Sequence, residues 1–163
     1  MRTIIHDIDK INKFKFREDD NVINSLECFK NCIGCFSCWI KHPKKCMLSD
    51  NYSNMAEYLR DSDELIIISK CRYGCYSGDV KRVLERCIGY VLPYFTIRNN
   101  EIHHACRYDK KLKLSVYFYG DISYGDKKVL EDLVKANAVN LNVSCYNIYT
   151  FNNLKELRKC IRL

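Results

Sequence analysis

Proline and glycine are scarce, with two and six in 163 residues. No Pro-, Gly- or Ser-rich stretch interrupts the chain, and no internal repeat appears. A linker between folding units is therefore not expected, and residues 1–163 read as a single domain. No apolar run approaches the ~20 residues that a membrane helix needs, which predicts no membrane span. Met1-Arg2-Thr3-Ile4-Ile5-His6-Asp7 has an early acid and no long apolar stretch, so a signal peptide is not expected and the cytoplasm is. A basic block is missing too. The net charge of +7, from 27 Lys and Arg against 20 Asp and Glu, is spread along the chain, which argues against a nucleic-acid partner. No Ser-His-Asp order and no paired-carboxylate motif point to hydrolysis.

What the chain has in excess is cysteine, eleven in all. An odd count without a signal peptide speaks against a secreted disulfide framework. Four of them crowd into Cys32-Ile-Gly-Cys35-Phe-Ser-Cys38-Trp-Ile-Lys-His-Pro-Lys-Lys-Cys46, together with the only tryptophan, Trp39, and one of the two prolines, Pro43. Three chemistries suit Cys32, Cys35, Cys38 and Cys46. A 4Fe–4S cluster needs four thiolates around one small volume, and structural zinc needs a tetrahedral set. Free thiols in a loop can instead exchange as a disulfide pair, with Lys41, Lys44 and Lys45 favouring thiolate. The other seven cysteines, Cys28 among them, read mostly as small buried hydrophobes. His103-His104 with Glu101 suggests a metal site. Neighbouring histidines on a strand face opposite ways, however, so a hairpin role is the simpler reading.

Hydrophobic patterning gives alternating strands and helices. Residues 3–8 predict a strand. Lys13 to Phe16 alternate only weakly, and Val22, Ile23 and Leu26 suit either a short strand or a helical turn. A helix is expected over Asp50 to Asp61, with Asp50 as a cap. Leu65-Ile66-Ile67-Ile68-Ser69 is an apolar, β-branched run of the kind buried on both faces of a parallel sheet. After a loop, Lys70 to Ser77, a helix is expected from Gly78 to Leu92, with Asp79 near its start and Pro93 as its stop. Residues 94–110 read as an excursion, a hairpin around Asn99-Asn100. Leu112 to Tyr119 then predicts a strand, Tyr124 to Ala138 a helix, Val143 to Phe151 a last strand, and Leu154, Leu157 and Ile161 a closing helix. Such alternation implies right-handed βαβ units and helices on both faces of a parallel sheet, with ligands at the carboxyl ends of the strands.

The cysteine segment, with Asp50-Asn51, Ser62-Asp63, the apolar strand, a Tyr- and Gly-containing loop, Lys81 and Glu85-Arg86 behind it, resembles a known family. That family is the flavodoxin-like NAD(P)H-dependent FMN reductases and iron–sulfur flavoproteins, matched over roughly residues 28–120. The resemblance implies a three-layer flavodoxin-like α/β fold with a central, mostly parallel five-stranded sheet of order 2-1-3-4-5. It implies FMN bound beside Ser69, Cys71, Arg72, Tyr73, Gly74, Tyr76 and Ser77, with Tyr73 and Tyr76 next to the ring. Tyr119, Gly120 and Asp121 would form the second flavin-facing loop, and the cysteine loop one wall of the pocket. Electrons would pass from NAD(P)H to a redox partner protein or small acceptor, and a homodimer is expected by analogy. Two features depart from the family. Ser69-Lys70-Cys71-Arg72-Tyr73 replaces a Ser-Pro-Val-Tyr pattern. The first strand leads into Asp7-Ile8-Asp9-Lys10 where the family has a Gly-Ser-Pro-Arg-like phosphate loop. Either another element holds the phosphate, or the chain is a flavin-free, cysteine-based sensor or binding module. A 4Fe–4S carrier is the third option.

Overall fold

The computed structural model describes residues 1–9, 14–27 and 29–161; Cys28, Lys10 and Lys13 lie outside the described residues. The apolar β-branched runs form the centre of a sheet. The strands are β1 (Arg2–His6), β2 (Asn21–Asn24), β3 (Glu64–Lys70), β6 (Lys113–Tyr119) and β7 (Cys145–Phe151), in the order β2-β1-β3-β6-β7 and all parallel. Counted within the sheet, this is the flavodoxin-like 2-1-3-4-5 order. A separate antiparallel hairpin, β4 (Val91–Arg98) and β5 (Glu101–Cys106), intervenes between β3 and β6. Its turn residues Asn99 and Asn100 both have positive φ, 51° and 62°, the backbone that two-residue hairpin turns require.

Alternation along the strands sends two side-chain sets to opposite faces. Ile5, Ile67, Val116 and Phe118 meet helices α1 (Met55–Asp61), α2 (Gly78–Glu85) and α3 (Tyr124–Asn140) through Leu59, Val83 and Val134. Ile4, Ile66 and Ile68 meet α4 (Leu154–Cys160) and Phe14. Helices on both faces make three layers. Only one described helix covers the second face, because the connection from β1 to β2 contains no helix among its described residues.

Three boundaries differ from the sequence expectation. The helix expected from Asp50 begins at Met55, and Asp50 is an ion-pair partner instead. Helix α2 stops at Glu85, seven residues early. Arg86 and Cys87 donate their amides to Val83 and Leu84, which tightens the last turn to i−3 bonds, and a 3-10 turn at Ile88–Tyr90 leads into β4. Pro93 therefore sits within β4 and stops nothing. Ser77, not Asp79, caps α2, its side chain accepting from the Val80 amide. Val22 and Ile23 settle as a strand, with Leu26 outside it and 43% exposed.

Candidate functional site

The connection out of β1 runs to β2 on one side and the connection out of β3 runs to β6 on the other, so the topological switch point lies between β1 and β3. At its carboxyl edge the first residue after β1 is Asp7, which is buried. Both carboxylate oxygens accept from the Lys70 amide, at 3.1 and 2.9 Å, and Oδ1 also accepts from the Tyr119 hydroxyl at 3.0 Å. Burial, followed by the neighbouring Asp7 charge, pushes the Tyr119 phenol above its ordinary range, so it stays a donor. A carboxylate thus occupies the place above β1 where a phosphate loop would open, satisfied by backbone and phenol.

The loop after β3 is closed tightly. Ser69 is fully buried and its Oγ accepts from the Ser77 amide at 2.8 Å, tying the end of the strand to the cap of α2. Arg72 and Cys75 exchange two 2.9 Å backbone bonds, so Tyr73 and Gly74 form the tip, with φ of 54° and 72°. A Cβ on Gly74 would lie 2.5 Å from the Val129 side chain and 2.9 Å from the Asp126 carbonyl oxygen. Gly74→Ala is therefore expected to cost about 2 kcal/mol, from a strained backbone and a clash with α3, and a thermal melt measures it. Tyr73 projects outward, 92% exposed, whereas Tyr76 is 2% exposed and stacks on Phe118 at 5.3 Å. Tyr76 belongs to the core, so only Tyr73 of the expected ring pair reaches the surface.

Cys71 is buried, its amide donating to the Tyr119 carbonyl and its thiol pKa raised by burial. Gly120, with φ of 125°, donates to the Phe151 carbonyl, and Asp121 is exposed. A hollow of about 330 Å³ opens here, bounded by Asp7, Leu26, Lys70, Arg72, Ser77, Gly78, Asp79 and Tyr119. Lys70, which lines this hollow, is not among the residues singled out from the sequence; its position one step past the buried run of β3 is the available signal.

The cysteine loop lies elsewhere. Cys32, Cys35, Cys38 and Cys46 are free thiols around a larger cavity of about 640 Å³, closed by Leu84, Ile88, Val91 and Leu141. It shares no lining residue with the hollow at the carboxyl edge, because the loop packs against the end of α2. The Trp39 indole donates to the Ile88 and Val91 carbonyls, both at 3.0 Å, while its ring lies 5.0 Å from Phe36 and 4.9 Å from His104. The loop is thus not a wall of the carboxyl-edge site. Burial first, then the neighbouring thiols Cys46, Cys32 and Cys35, raise the Cys38 pKa, opposite to the lysine-favoured thiolate expected there. Among the described residues no three or more His, Cys, Asp or Glu side chains gather closely enough to hold a metal ion, so neither a cluster nor a zinc set is supported. The nearest soft contact is Cys35 Sγ to Met47 Sδ, 3.4 Å.

Arg86 anchors this loop. Its guanidinium grips Asp50 with two bonds of 2.9 and 2.8 Å and donates to the Lys30 carbonyl at 2.6 Å, while the Lys30 amide donates to Asp50 at 3.2 Å. Residues 30 and 50, the neck of the loop, are thereby fixed to the end of α2. His103 and His104 face opposite sides of the hairpin. The first lies 2.9 Å from Asn140 and 3.2 Å from Glu101, and the second is held between Trp39 and Phe95.

Sheet order, helices on both faces and loops at the carboxyl edge define a flavodoxin-like α/β fold. The same fold is found in an FMN-dependent NADH-azoreductase from Bacillus anthracis str. Ames Ancestor, solved in complex with FMN. The match has a TM-score of 0.52 at 12% sequence identity and covers 91% of this chain and 85% of that one. At that identity the likeness carries the fold. No protein-family model matches the chain, and no curated protein does. No helix among the described residues is long and apolar enough to cross a membrane.

Proposed function

We propose that the chain is a flavin-dependent redox protein that holds FMN at the carboxyl edge, takes electrons from NAD(P)H and passes them to a partner protein or small acceptor. The observation that carries this reading is the hollow at the switch point, where Lys70 and Arg72 stand beside the amide end of α2. The residues fit the cofactor in part. The place above β1 is taken by the Asp7 carboxylate, so phosphate falls to Lys70, Arg72 and the first amides of α2, which attract anions. Ser69, Cys71, Gly74 and Ser77 shape the loop from within. Tyr73, Gly120 and Asp121 present its outer surfaces to the ring, and the azoreductase of the same fold contains FMN. Bound flavin supplies hydride and electron chemistry, and the protein's part is to position and tune it.

Fluorescence titration tests this directly. FMN emission is expected to be quenched on mixing, with riboflavin, which lacks the phosphate, binding about tenfold more weakly, or ~1.4 kcal/mol. Lys70→Ala or Arg72→Ala should each erase most of that difference. FMN that mixes without any change in emission would sink the proposal.

A flavin-free, thiol-based module is the second reading, and the buried Asp7 carboxylate favours it. On that reading FMN does not bind, while a thiol titration after mild peroxide treatment shows two fewer free thiols per disulfide, drawn from Cys32, Cys35, Cys38 and Cys46. Unchanged thiols would remove it.

A further inference from the structure

The four thiols around the larger cavity are not equivalent. Cys46 stands beside the Arg86 guanidinium. Burial works against the Arg86 charge, and Asp50 and the Cys46 sulfur outweigh it. Two guanidinium nitrogens bond Asp50 and the Lys30 carbonyl, but the buried Nε has no hydrogen-bond partner among the described residues. A fixed cation with a donor to spare, set beside a sulfur, favours the thiolate, which is the nucleophilic form. Cys38 is the opposite case. Burial first, and then Cys46 ahead of the other thiols, makes Cys38 harder to ionise. Its place is fixed by close packing on the 3-10 turn, where a Cβ on Gly89 would lie 3.3 Å from the Cys38 Cβ. One thiol is thus set to attack, and the thiol on which it acts most is set to follow.

The cavity says what would be attacked. Leu84, Ile88, Val91 and Leu141 close it on the protein side, and Ile33 and Met47 line it from the loop while remaining exposed. Large apolar side chains left exposed around one opening mark a ligand site, and about 640 Å³ is room for a small organic molecule. The polar side chains on its wall, besides the thiols, are Glu85, Arg86, His104 and Asn140.

We propose that this cavity takes an apolar organic hydroperoxide, with Cys46 as the attacking thiolate and Cys38 as the thiol that resolves the product. The inference rests on the thiol reading of these cysteines and not on whether the carboxyl edge holds FMN, since the two sites share no lining residue. The Cys46 sulfur attacks the terminal peroxide oxygen. An S–O bond forms, the O–O bond breaks, and the alkoxide leaves and takes a proton from solvent as the alcohol. The Cys38 thiol then displaces the hydroxyl of the Cys46 sulfenic acid, an S–S bond forming as water departs. Two thiols give up two electrons and the hydroperoxide gains them. The apolar wall holds the organic group and so brings the O–O bond to the sulfur. Hydrogen peroxide, with no such group, gains nothing from it.

Stopped-flow oxidation of the reduced full chain tests this, with cumene hydroperoxide and hydrogen peroxide as probes. Trp39, the only tryptophan, lies within the loop, so its emission follows the reaction. The ratio of the two rate constants is expected to be at least about tenfold higher for the folded chain than for the urea-unfolded chain, as burial of an apolar group implies. Peptide mapping should then find a Cys38–Cys46 disulfide, with two thiols lost per hydroperoxide consumed. Cys46→Ser should abolish the fast phase. Cys38→Ser should keep it and leave a sulfenic acid that dimedone traps. The wild-type map decides the matter if either variant does not fold. Thiols that resist both oxidants would remove the thiol reading and this inference together. Thiols oxidised without any gain in preference on folding, a disulfide that excludes Cys46, or a fast phase that survives Cys46→Ser would leave that reading standing and overturn this one.

Discussion

Asp50→Ala is expected to destabilise the protein by about 3–5 kcal/mol, the cost of leaving a buried charge without its partner. Set against a total stability of roughly 5–15 kcal/mol for a domain, that is a large fraction. The Arg86 side chain is fully buried and Asp50 only 14% exposed, so water cannot replace the lost carboxylate. Burial alone would raise the Asp50 pKa. Hydrogen bonds from Arg86 and from the Lys30 and Tyr52 amides outweigh it, and the net shift is downward. A carboxylate whose folded pKa is depressed contributes stability above its unfolded pKa, and that contribution is lost as pH falls through the folded value. The cost of Asp50→Ala should therefore be full at neutral pH and shrink in acid.

Two further readouts separate this clamp from a generic packing loss. The double variant Asp50→Ala/Arg86→Met removes both charges and should recover most of the stability. Because residues 30 and 50 form the neck of the cysteine loop, Asp50→Ala should also speed labelling of Cys32, Cys35, Cys38 and Cys46 by a thiol reagent. Denaturant midpoints that barely move, with unchanged labelling rates, would show that the clamp contributes nothing.

That pair also marks how far the sequence could be read. Local pattern located the sheet: Leu65-Ile66-Ile67-Ile68-Ser69 lies wholly within β3, and Asn99-Asn100 falls at the hairpin turn. In both cases the deciding interactions are with near neighbours or with a uniform apolar surrounding. Asp50 looked like a cap because a carboxylate before an apolar stripe usually is one. Its real partner is 36 residues away, and no periodicity encodes that. The end of α2 differs for a related reason: Cys87, Ile88 and Val91 continue a helical stripe, yet the chain places Ile88 in a 3-10 turn over α1, with Cys87 before it and Val91 already in β4.

At the candidate site the residues of the loop were legible but their directions were not. Tyr73 and Tyr76 are equivalent as letters, and only the Arg72–Cys75 bridge turns one to solvent and the other onto Phe118. Asp7 stands where the family has a phosphate loop, and it is an acceptor for a strand-end amide. The cysteine spacing suggested convergence, but whether thiols converge depends on what lies beneath the loop, here Trp39 and the end of α2.

His6 should dominate the first phase of acid destabilisation. It ends β1, is fully buried, and its Nδ1 accepts from the Ile8 amide at 3.2 Å, which leaves the proton of the neutral ring on Nε2, without a partner among the described residues. Burial lowers its pKa from 6.5 to about 4. The unfolded chain then binds a proton near pH 6.5 that the folded chain refuses until about pH 4. Stability is thus complete above pH 6.5 and falls steadily between those values, by roughly 3 kcal/mol over the interval. Only below it do the depressed carboxylates such as Asp50 add their own loss. Urea midpoints for the wild type should slope across pH 6.5–4, and His6→Asn, which has no proton to take up there, should flatten that slope whatever its own offset at pH 7. The offset and the slope are separate quantities: a polar amide in a tight site can cost stability at every pH, but only a titrating ring bends the curve. A wild-type curve flat down to pH 4.5, or a His6→Asn curve with the wild-type slope, would place the acid sensitivity elsewhere.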